Sequence, residues 1–535
     1  MTADTLYHRR LALLGEERER ELLCCNLRGI EREALRVTPE GRLSTRPHPP
    51  ALGAALTHPF ITTDFAESLL EFITEPARQI DDLLRGLERI HRFSDCHLED
   101  GEQLWPASMP CALGAESDIQ IARYGRSNLG QMKTIYRRGL AHRYGRRMQA
   151  IAGVHFNFSV PDALMVRLRS ADHCRQSLQD YRTASYMALI RNFCRRFWLL
   201  LYLMGASPLA DKSFATGRPH RLQAFGKRDL YLPHATALRM GELGYQSSAQ
   251  HGLHVCYNSL ASYVESLNCA IRRPYPPYQK IPDRDAQGRR QQLSPALLQI
   301  ENEFYSAIRP KQTARPGETQ LKALRQRGIE YIEVRCIDLN PFDRLGISRE
   351  QILFLELFLL GCLFSDSPPT DSDEYAEILA NQKKVVERGR EPGLELARAG
   401  HPYTLRDWGA EILAALEPLA AIMDALRGRG GYAASLATMR TMLDDPEHCP
   451  AARILREVEQ SDGFVAWGLA QAAKLAAERR TAEQDDADSQ ASVARLQSLA
   501  AQSLAEQGEM EQAESGSPES LEAYIAHYFA QYQGS

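Results

Sequence analysis

The most constraining feature of this 535-residue chain is a period-two pattern in the segment GIEREALRV, residues 29–37. Successive side chains of a β-strand lie on opposite faces, so residues two positions apart share a face. In this segment Glu31 and Glu33 therefore lie together, while Ile30 and Arg32 lie on the other face. The pattern predicts a core strand with two carboxylates side by side.

The same alternation recurs in three further segments, each with an apolar face and a polar, mostly acidic one. Their polar residues are Glu67 and Glu71 in ESLLEFIT, His155 and Asn157 in GVHFNFSV, and Tyr331, Glu333 and Arg335 in IEYIEVR. Each strand alone could have a solvated outer face, and a lone histidine could be a satisfied core residue. Like charges on neighbouring strands repel, however, so four such faces together need neutralisation.

Divalent cations supply that neutralisation. Carboxylates and water are the ligands that Mg²⁺ prefers, nucleotide phosphates complete its coordination, and an imidazole ligand suits Mn²⁺ better. Glu31, Glu33, Glu71, His155 and Glu333 are the candidate ligands. Because no P-loop, dinucleotide fingerprint, nucleophile elbow or H-E-x-x-H occurs, a sheet-borne metal cluster is the main catalytic feature that the residues predict.

Composition restricts the class of protein. A formal net charge of −4 gives no general attraction to nucleic acid or to anionic lipid. The N-terminus has no apolar signal region, and eleven scattered cysteines form no CxxC, so we expect a cytoplasmic protein with reduced thiols. The apolar runs at 197–206 and 352–364 are shorter than the roughly 18 residues that a membrane span needs, so we expect core helices.

Periodicity predicts an α+β chain. Short strand-like runs dominate up to about residue 169, apolar residues recur at helical spacing at 170–270 and 349–472, and strands return between these two regions. We predict a catalytic domain over 1–470. Residues 471–535, rich in alanine and glutamate, are predicted to form a polar helical C-terminal extension that is partly flexible.

Seven blocks, in order between about residues 27 and 345, closely resemble the proteobacterial glutamate–cysteine ligases. The blocks are RGIEREALRV, LGAALTHPFITTDFAESLLEFIT, LWPASMPC, IARYGRSNLGQMKTIYRRGLAHRYG, MQAIAGVHFNFS, QIENEFYSAIRPK and GIEYIEVRCIDLNPF. The resemblance implies a glutamine-synthetase-like fold, with a curved antiparallel sheet forming a funnel-shaped active site surrounded by helices. It also implies that ATP activates the γ-carboxylate of L-glutamate as γ-glutamyl phosphate, which the amine of L-cysteine attacks to give γ-glutamylcysteine.

The resemblance also assigns residues. It implies that the five candidate ligands hold more than one Mg²⁺ or Mn²⁺ ion, and that Arg335, Glu333 and Glu31 are catalytic. The implied substrate-binding residues are Tyr136, Arg239, Tyr245, Asn302 and Tyr305. Asp64 and Glu67 could orient an amine or support the ligands, and this sequence leaves their roles open. A monomer and feedback inhibition by glutathione are family-based expectations.

Two alternatives remain at this point. The same scaffold could join glutamate to a different amine, or transfer phosphoryl groups without forming an amide. It could also be a non-catalytic binding protein, although such a chain should have lost some of the predicted site residues, and this one retains all of them.

Overall fold

The computed structural model describes residues 5–244, 249–250, 252–426, 430–481, 487–515 and 519–533. All four alternating segments contain strands. The strands are β1 (Leu27–Val37), β2 (Ile61–Thr63), β3 (Leu69–Ile73), β4 (Gln103–Leu104), β5 (Gly153–Ser159), β6 (Leu209–Asp211), β7 (Gln223–Phe225), β8 (Asp229–Tyr231), β9 (Ile308–Lys311), β10 (Tyr331–Asp338), β11 (Glu395–Arg398) and β12 (His401–Thr404).

The helices fill most of the rest of the described chain. They are α1 (Thr5–Leu13), α2 (Glu17–Arg20), α3 (Ile80–Cys96), α4 (Asn128–Tyr144), α5 (Asp162–Ala171), α6 (Leu178–Arg196), α7 (Trp198–Leu203), α8 (Lys212–Ala215), α9 (Leu260–Arg272), α10 (Pro276–Gln279), α11 (Gln320–Arg327), α12 (Arg349–Phe364), α13 (Ser372–Arg388), α14 (Leu405–Asp424), α15 (Tyr432–Asp444), α16 (Pro450–Glu459), α17 (Phe464–Thr481), α18 (Ala487–Ser515) and α19 (Leu521–Ala530). None of these described helices is long and apolar enough to cross a membrane.

One seven-stranded sheet organises the molecule. Its order is β2-β3-β1-β5-β10-β9, with β4 paired to β1, and every pairing is antiparallel. The path ends at β2 and β9 without closing, so the sheet is open. The predicted α+β class with an antiparallel sheet is confirmed.

The register brings the predicted polar residues of different strands side by side. Glu33 on β1 pairs with Glu71 on β3, and Glu31 pairs with His155 on β5. On the next strand Glu333 pairs with Asn157. Because paired residues project to the same face, the acidic residues of β1, β3 and β10 meet His155 and Asn157 of β5 on one side of the sheet.

Helices α3, α6 and α7 pack against the sheet, and α12 packs against α3 and α6. Ile30, Phe156 and Val334 are fully buried on the opposite face of the sheet, and Arg32 also lies on this side, as the alternation predicts. The two apolar runs form the core helices α7 and α12, which confirms that prediction. Within α12, the buried Glu356 ion-pairs with Arg28 at the start of β1.

The C-terminal helices pack against the body of the protein. Helix α17 contacts α3 and β4, α18 contacts α3, and α19 contacts α4. The predicted boundary at residue 470 falls inside α17. The division into a catalytic domain and an extension therefore stays a prediction, as does the flexibility of the extension.

Candidate active site

Three predicted ligands from three adjacent strands form the centre of the site. His155 Nδ1 lies 3.1 Å from Glu31 Oε2 and 3.9 Å from Glu333 Oε1. One ligand atom from each of these residues lies within 4.8 Å of the others. The Asn157 amide donates to Glu31 Oε1 at 2.8 Å, which fixes the orientation of that carboxylate.

Further carboxylates extend this centre toward β3. Glu33 Oε1 lies 3.6 Å from His155 Nε2, and its other oxygen accepts a hydrogen bond from the Gly153 amide. Burial raises the pKa of Glu33. Burial and the nearby charges of Glu31, Asp64 and Glu33 raise the pKa of Glu71 well above its ordinary value. This half of the site therefore carries more negative charge than its protein surroundings neutralise.

Basic side chains occupy the other half of the site, which we call the basic half and which comprises Lys311 on β9 and Arg335 on β10 beside Glu333. Lys311 Nζ lies 3.4 Å and Arg335 Nη1 3.2 Å from Glu333 Oε1. Burial opposes ionisation of Glu333, but the charges of Lys311 and Arg335 hold its pKa well below the usual range. Arg309 pairs with Glu333 in the strand register and donates to the backbone carbonyls of Asn302 and Phe304.

Two buried polar atoms at the junction of these halves have no hydrogen-bond partner among the described residues. They are Glu333 Oε2 and His155 Nε2. Buried polar groups are ordinarily satisfied, and a carboxylate oxygen and an imidazole nitrogen are both metal-ligand atoms. The donor set thus fits a divalent cation at the point where the predicted ligands converge.

The predicted substrate-binding residues have varied surroundings. Tyr136 is half-buried on α4, and the Tyr305 hydroxyl accepts from the Gln149 amide at 2.8 Å. Arg239 is fully buried and ion-pairs with Asp338 at 2.7 Å. Asn302 is exposed, and Tyr245 lies outside the described residues. The substrate roles of all five stay predictions.

Asp64 and Glu67, whose roles the sequence leaves open, have different surroundings. Strand β3 begins at Leu69, so Glu67 lies outside the strand, and its oxygens accept from the backbone amides of His48 and Arg123. It therefore joins two loops. Asp64, in contrast, lies close enough to Glu33 and Glu71 to influence their ionisation.

A cavity of about 480 Å³ opens beside Arg335. Its walls include Tyr257, Tyr305 and Lys383, and the His254 ring stacks on Tyr375 with centroids 4.1 Å apart. Small-molecule sites are typically concave, mostly apolar and aromatic, with a few placed polar groups. This cavity has the size and lining of such a site, and it adjoins the basic half of the sheet.

Reasoning from the sequence found Arg335 but missed the other basic residues around the site. Arg309 and Lys311 are two positions apart in AIRPK, and the same alternation rule would have placed them on one face. Arg137 and Lys133 were missed for another reason, because they lie on α4 near Asp64 and Glu71. Only the packing of that helix against the sheet shows their proximity.

Comparisons with known proteins identify the family. A model of the glutamate-cysteine ligase family matches residues 11–385. The glutamate–cysteine ligase of Pseudomonas paraeruginosa is 50% identical over 467 residues, covering 87% of this chain and 88% of that protein. That of Azotobacter vinelandii is 48% identical over 535 residues, 99% of each chain.

Solved structures agree with this assignment. The crystal structure of a Francisella tularensis glutamate–cysteine ligase in complex with AMP is 35% identical, with a TM-score of 0.88 and coverage of 95% of this chain and 98% of that one. A bifunctional glutathione synthetase from Pasteurella multocida is 28% identical, with a TM-score of 0.70, over 87% of this chain and 54% of that one. The chain belongs to the glutamate–cysteine ligase family.

Proposed function

We propose that this chain uses ATP to join the γ-carboxylate of L-glutamate to the amine of L-cysteine, giving γ-glutamylcysteine, ADP and phosphate. The observation that carries the proposal is the convergence of Glu31, His155 and Glu333 within 4.8 Å, beside a basic half formed by β9 and β10. Phosphoryl transfer needs both cations and positioned basic groups around the transferred phosphate.

We propose that Glu31, His155 and Glu333 hold one Mg²⁺ or Mn²⁺ ion, and that Glu33 and Glu71 contribute to at least one more. The unpartnered Glu333 Oε2 and the raised pKa of Glu71 support this assignment. When bound, such ions neutralise charge on the transferred phosphoryl group and align the attacking and leaving oxygens.

The basic residues act on the same phosphoryl group. Arg335 is half-buried and its Nη1 lies 3.2 Å from Glu333, so a rigid guanidinium points into the junction of the two halves. A guanidinium held there can donate to phosphate oxygens during transfer and then to the acyl phosphate. Lys311 adds a second positive charge from the neighbouring strand.

The cavity beside Arg335 is the proposed nucleoside site. Its aromatic and aliphatic walls suit a purine ring, and Arg335, which would meet the phosphates, is one of its lining residues. The γ-phosphate would then reach the cation ligands across Arg335. The amino-acid substrates would lie against Tyr136 and Tyr305, and Tyr305, which also lines the cavity, would separate them from the nucleoside.

An ADP-release assay tests this function. With L-glutamate and ATP, addition of L-cysteine should start ADP release, and omission of Mg²⁺ and Mn²⁺ should stop it. Product analysis should show γ-glutamylcysteine in equal amount to ADP. Equal turnover with ammonia or another small amine would contradict the specificity for cysteine and favour the alternative ligase.

We further propose a cytoplasmic, monomeric enzyme that glutathione inhibits by feedback. The eleven cysteines are all free thiols, which suits a reducing compartment and supports the location. Likeness between product and inhibitor supports the feedback, and size-exclusion chromatography with light scattering would test the monomer.

A further inference from the structure

The C-terminal helices contact the part of the protein that carries the proposed amino-acid site. We call residues 487–515 and 519–533, which contain α18 and α19, the C-terminal clasp. Glu511 accepts hydrogen bonds from the backbone amide of Arg126 at 2.8 Å and from its guanidinium at 3.1 Å. Glu514 accepts from the backbone amide of Asn128 at 2.5 Å. Both acceptors thus lie at the start of α4.

These contacts of Glu511 and Glu514 stabilise the N-terminal end of α4. The first amides of a helix have no partner within the helix, and negative charge near them is stabilising. Gly125, just before this turn, has a φ of 78°, and a Cβ there would overlap the side chains of Glu511 and Gln507. Glycine therefore permits both the left-handed backbone and the close approach of α18.

Helix α19 supports the same helix from its side. Ile525 is buried in a small hydrophobic core with Met132 and Ile135 of α4, and the ring of Tyr136 packs against this core. The core is separate from the main one behind the sheet. Tyr136, a proposed substrate-binding residue, packs against both cores, so its orientation depends in part on packing that the clasp supplies.

The end of the clasp reaches a second wall of the site. The Tyr532 hydroxyl donates to Glu301 Oε2, and the other oxygen of Glu301 accepts from the Gln320 amide at 2.7 Å. Glu301 begins the short turn that leads to Tyr305. In contrast, none of the described residues that line the cavity beside Arg335 belongs to the clasp.

We propose that Glu511, Glu514 and Tyr532 are positioning residues for the amine substrate. They hold α4, which carries Tyr136, and the turn at residues 301–303, which leads to Tyr305, and so fix the elements that carry both proposed substrate-binding tyrosines. This inference rests on the proposed function. It adds a role for the C-terminal extension, which acts through α4 and that turn and does not touch the reacting atoms. A change in the clasp should therefore affect cysteine more than ATP.

Steady-state kinetics of the full-length protein test this inference, with Glu514→Ala, Glu514→Gln and the control Glu509→Ala. Glu509 is exposed on the same helix. Glu514→Ala should raise the KM for cysteine about tenfold, the factor expected for loss of one charge-assisted hydrogen bond, with little change in the KM for ATP. Glu514→Gln keeps an acceptor oxygen and should recover most of the loss.

Three outcomes separate the possibilities. A selective rise in the KM for cysteine, with unchanged thermal unfolding of Glu514→Gln, supports the inference. Equal changes in the KM values for cysteine and ATP, or no change beyond that of Glu509→Ala, overturn the inference. If the wild type is active in that case, the proposed function still stands. A wild type that releases no ADP with cysteine overturns the proposed function, and this inference with it.

Discussion

The two halves of the catalytic sheet carry opposite charge. Strands β1 and β3 present Glu31, Glu33 and Glu71, whereas β9 and β10 present Lys311 and Arg335 beside Glu333. The ionisation of the carboxylates differs accordingly. The pKa of Glu71 is raised by burial and neighbouring carboxylates, while basic neighbours hold that of Glu333 low against burial. Burial and the charge of Glu333 oppose ionisation of Glu31, which borders the basic half, but His155 and Lys311 lower its pKa.

This difference in charge divides one face of the sheet between two tasks, cation binding and stabilisation of phosphate. The acidic half lacks enough positive charge of its own and so suits cations, whereas the basic half already balances Glu333 and has charge available for phosphate oxygens. Glu333 belongs to both, since it approaches His155 on one side and Lys311 on the other. Substitutions in the acidic half should therefore lower activity through loss of cation binding, and those in the basic half through loss of phosphate stabilisation.

The largest effect is expected at Glu333. Glu333→Gln removes a ligand charge and the partner of both basic residues, so turnover should fall by about 10³-fold or more. The fold should persist, because glutamine keeps the size and shape of the side chain, although stability should fall since Lys311 and Arg335 stabilise ionised Glu333. ADP release and circular dichroism measure the two effects. Glu330→Gln, at an exposed position three residues earlier, is the control, and near-native turnover of Glu333→Gln would refute the assignment.

A smaller loss is expected in the basic half. Arg335→Ala should lower kcat by about 10²-fold, the size typical of removing one positioned donor from a developing charge. Arg335→Lys should recover only part of the lost kcat, since an ammonium group cannot reproduce the bidentate hydrogen bonds of a guanidinium. Initial rates at saturating substrates provide the measurement, and Arg315→Ala, in an exposed loop, serves as control. An unchanged kcat in Arg335→Ala would place the electrostatic role elsewhere.

The smallest predicted effect concerns stability without divalent cations. Because the pKa of Glu71 rises from an ordinary value of 4.5, the folded state binds more protons than the unfolded state above that pH. Stability in EDTA should therefore fall as pH rises toward the raised pKa. Glu71→Gln should lessen the fall and be more stable than wild type by about 1 kcal/mol at pH 8.

Thermal unfolding from pH 5 to pH 8 in EDTA checks this prediction. Addition of Mg²⁺ should stabilise the wild type more than Glu71→Gln, since the variant has lost a proposed ligand. If the unfolding temperatures of the two proteins changed with pH in parallel, ionised Glu71 would not be destabilised by its neighbours, and the prediction would be wrong.

The acidic half could be predicted from sequence because strand alternation is a local rule. Alternation places Glu31 and Glu33 on one face of β1, and the antiparallel register with β3 then brings Glu71 beside Glu33 on that face. Arg309 and Lys311 obey the same rule, but the segment is short and contains Pro310, so it did not suggest a strand.

Other parts of the site depend on packing between distant segments. The approach of Lys133 and Arg137 to the acidic cluster depends on how α4 packs against the sheet, and no spacing in the sequence encodes that packing. The burial of Arg239 against Asp338 likewise joins positions 99 residues apart. The support of Tyr136 by α19 is longer-ranged still, since Ile525 comes from the predicted extension.

Manganese binding is the most direct test of the two-halves account. Equilibrium titration should show that Glu333→Gln weakens Mn²⁺ binding by about tenfold or more, a loss at least as large as that for a residue supporting a ligand. Arg335→Ala should bind Mn²⁺ as tightly as wild type, or more tightly, while losing turnover. If Arg335→Ala lost Mn²⁺, or if Glu333→Gln bound it as well as wild type, the division of the sheet into cation-binding and phosphate-stabilising halves would be wrong.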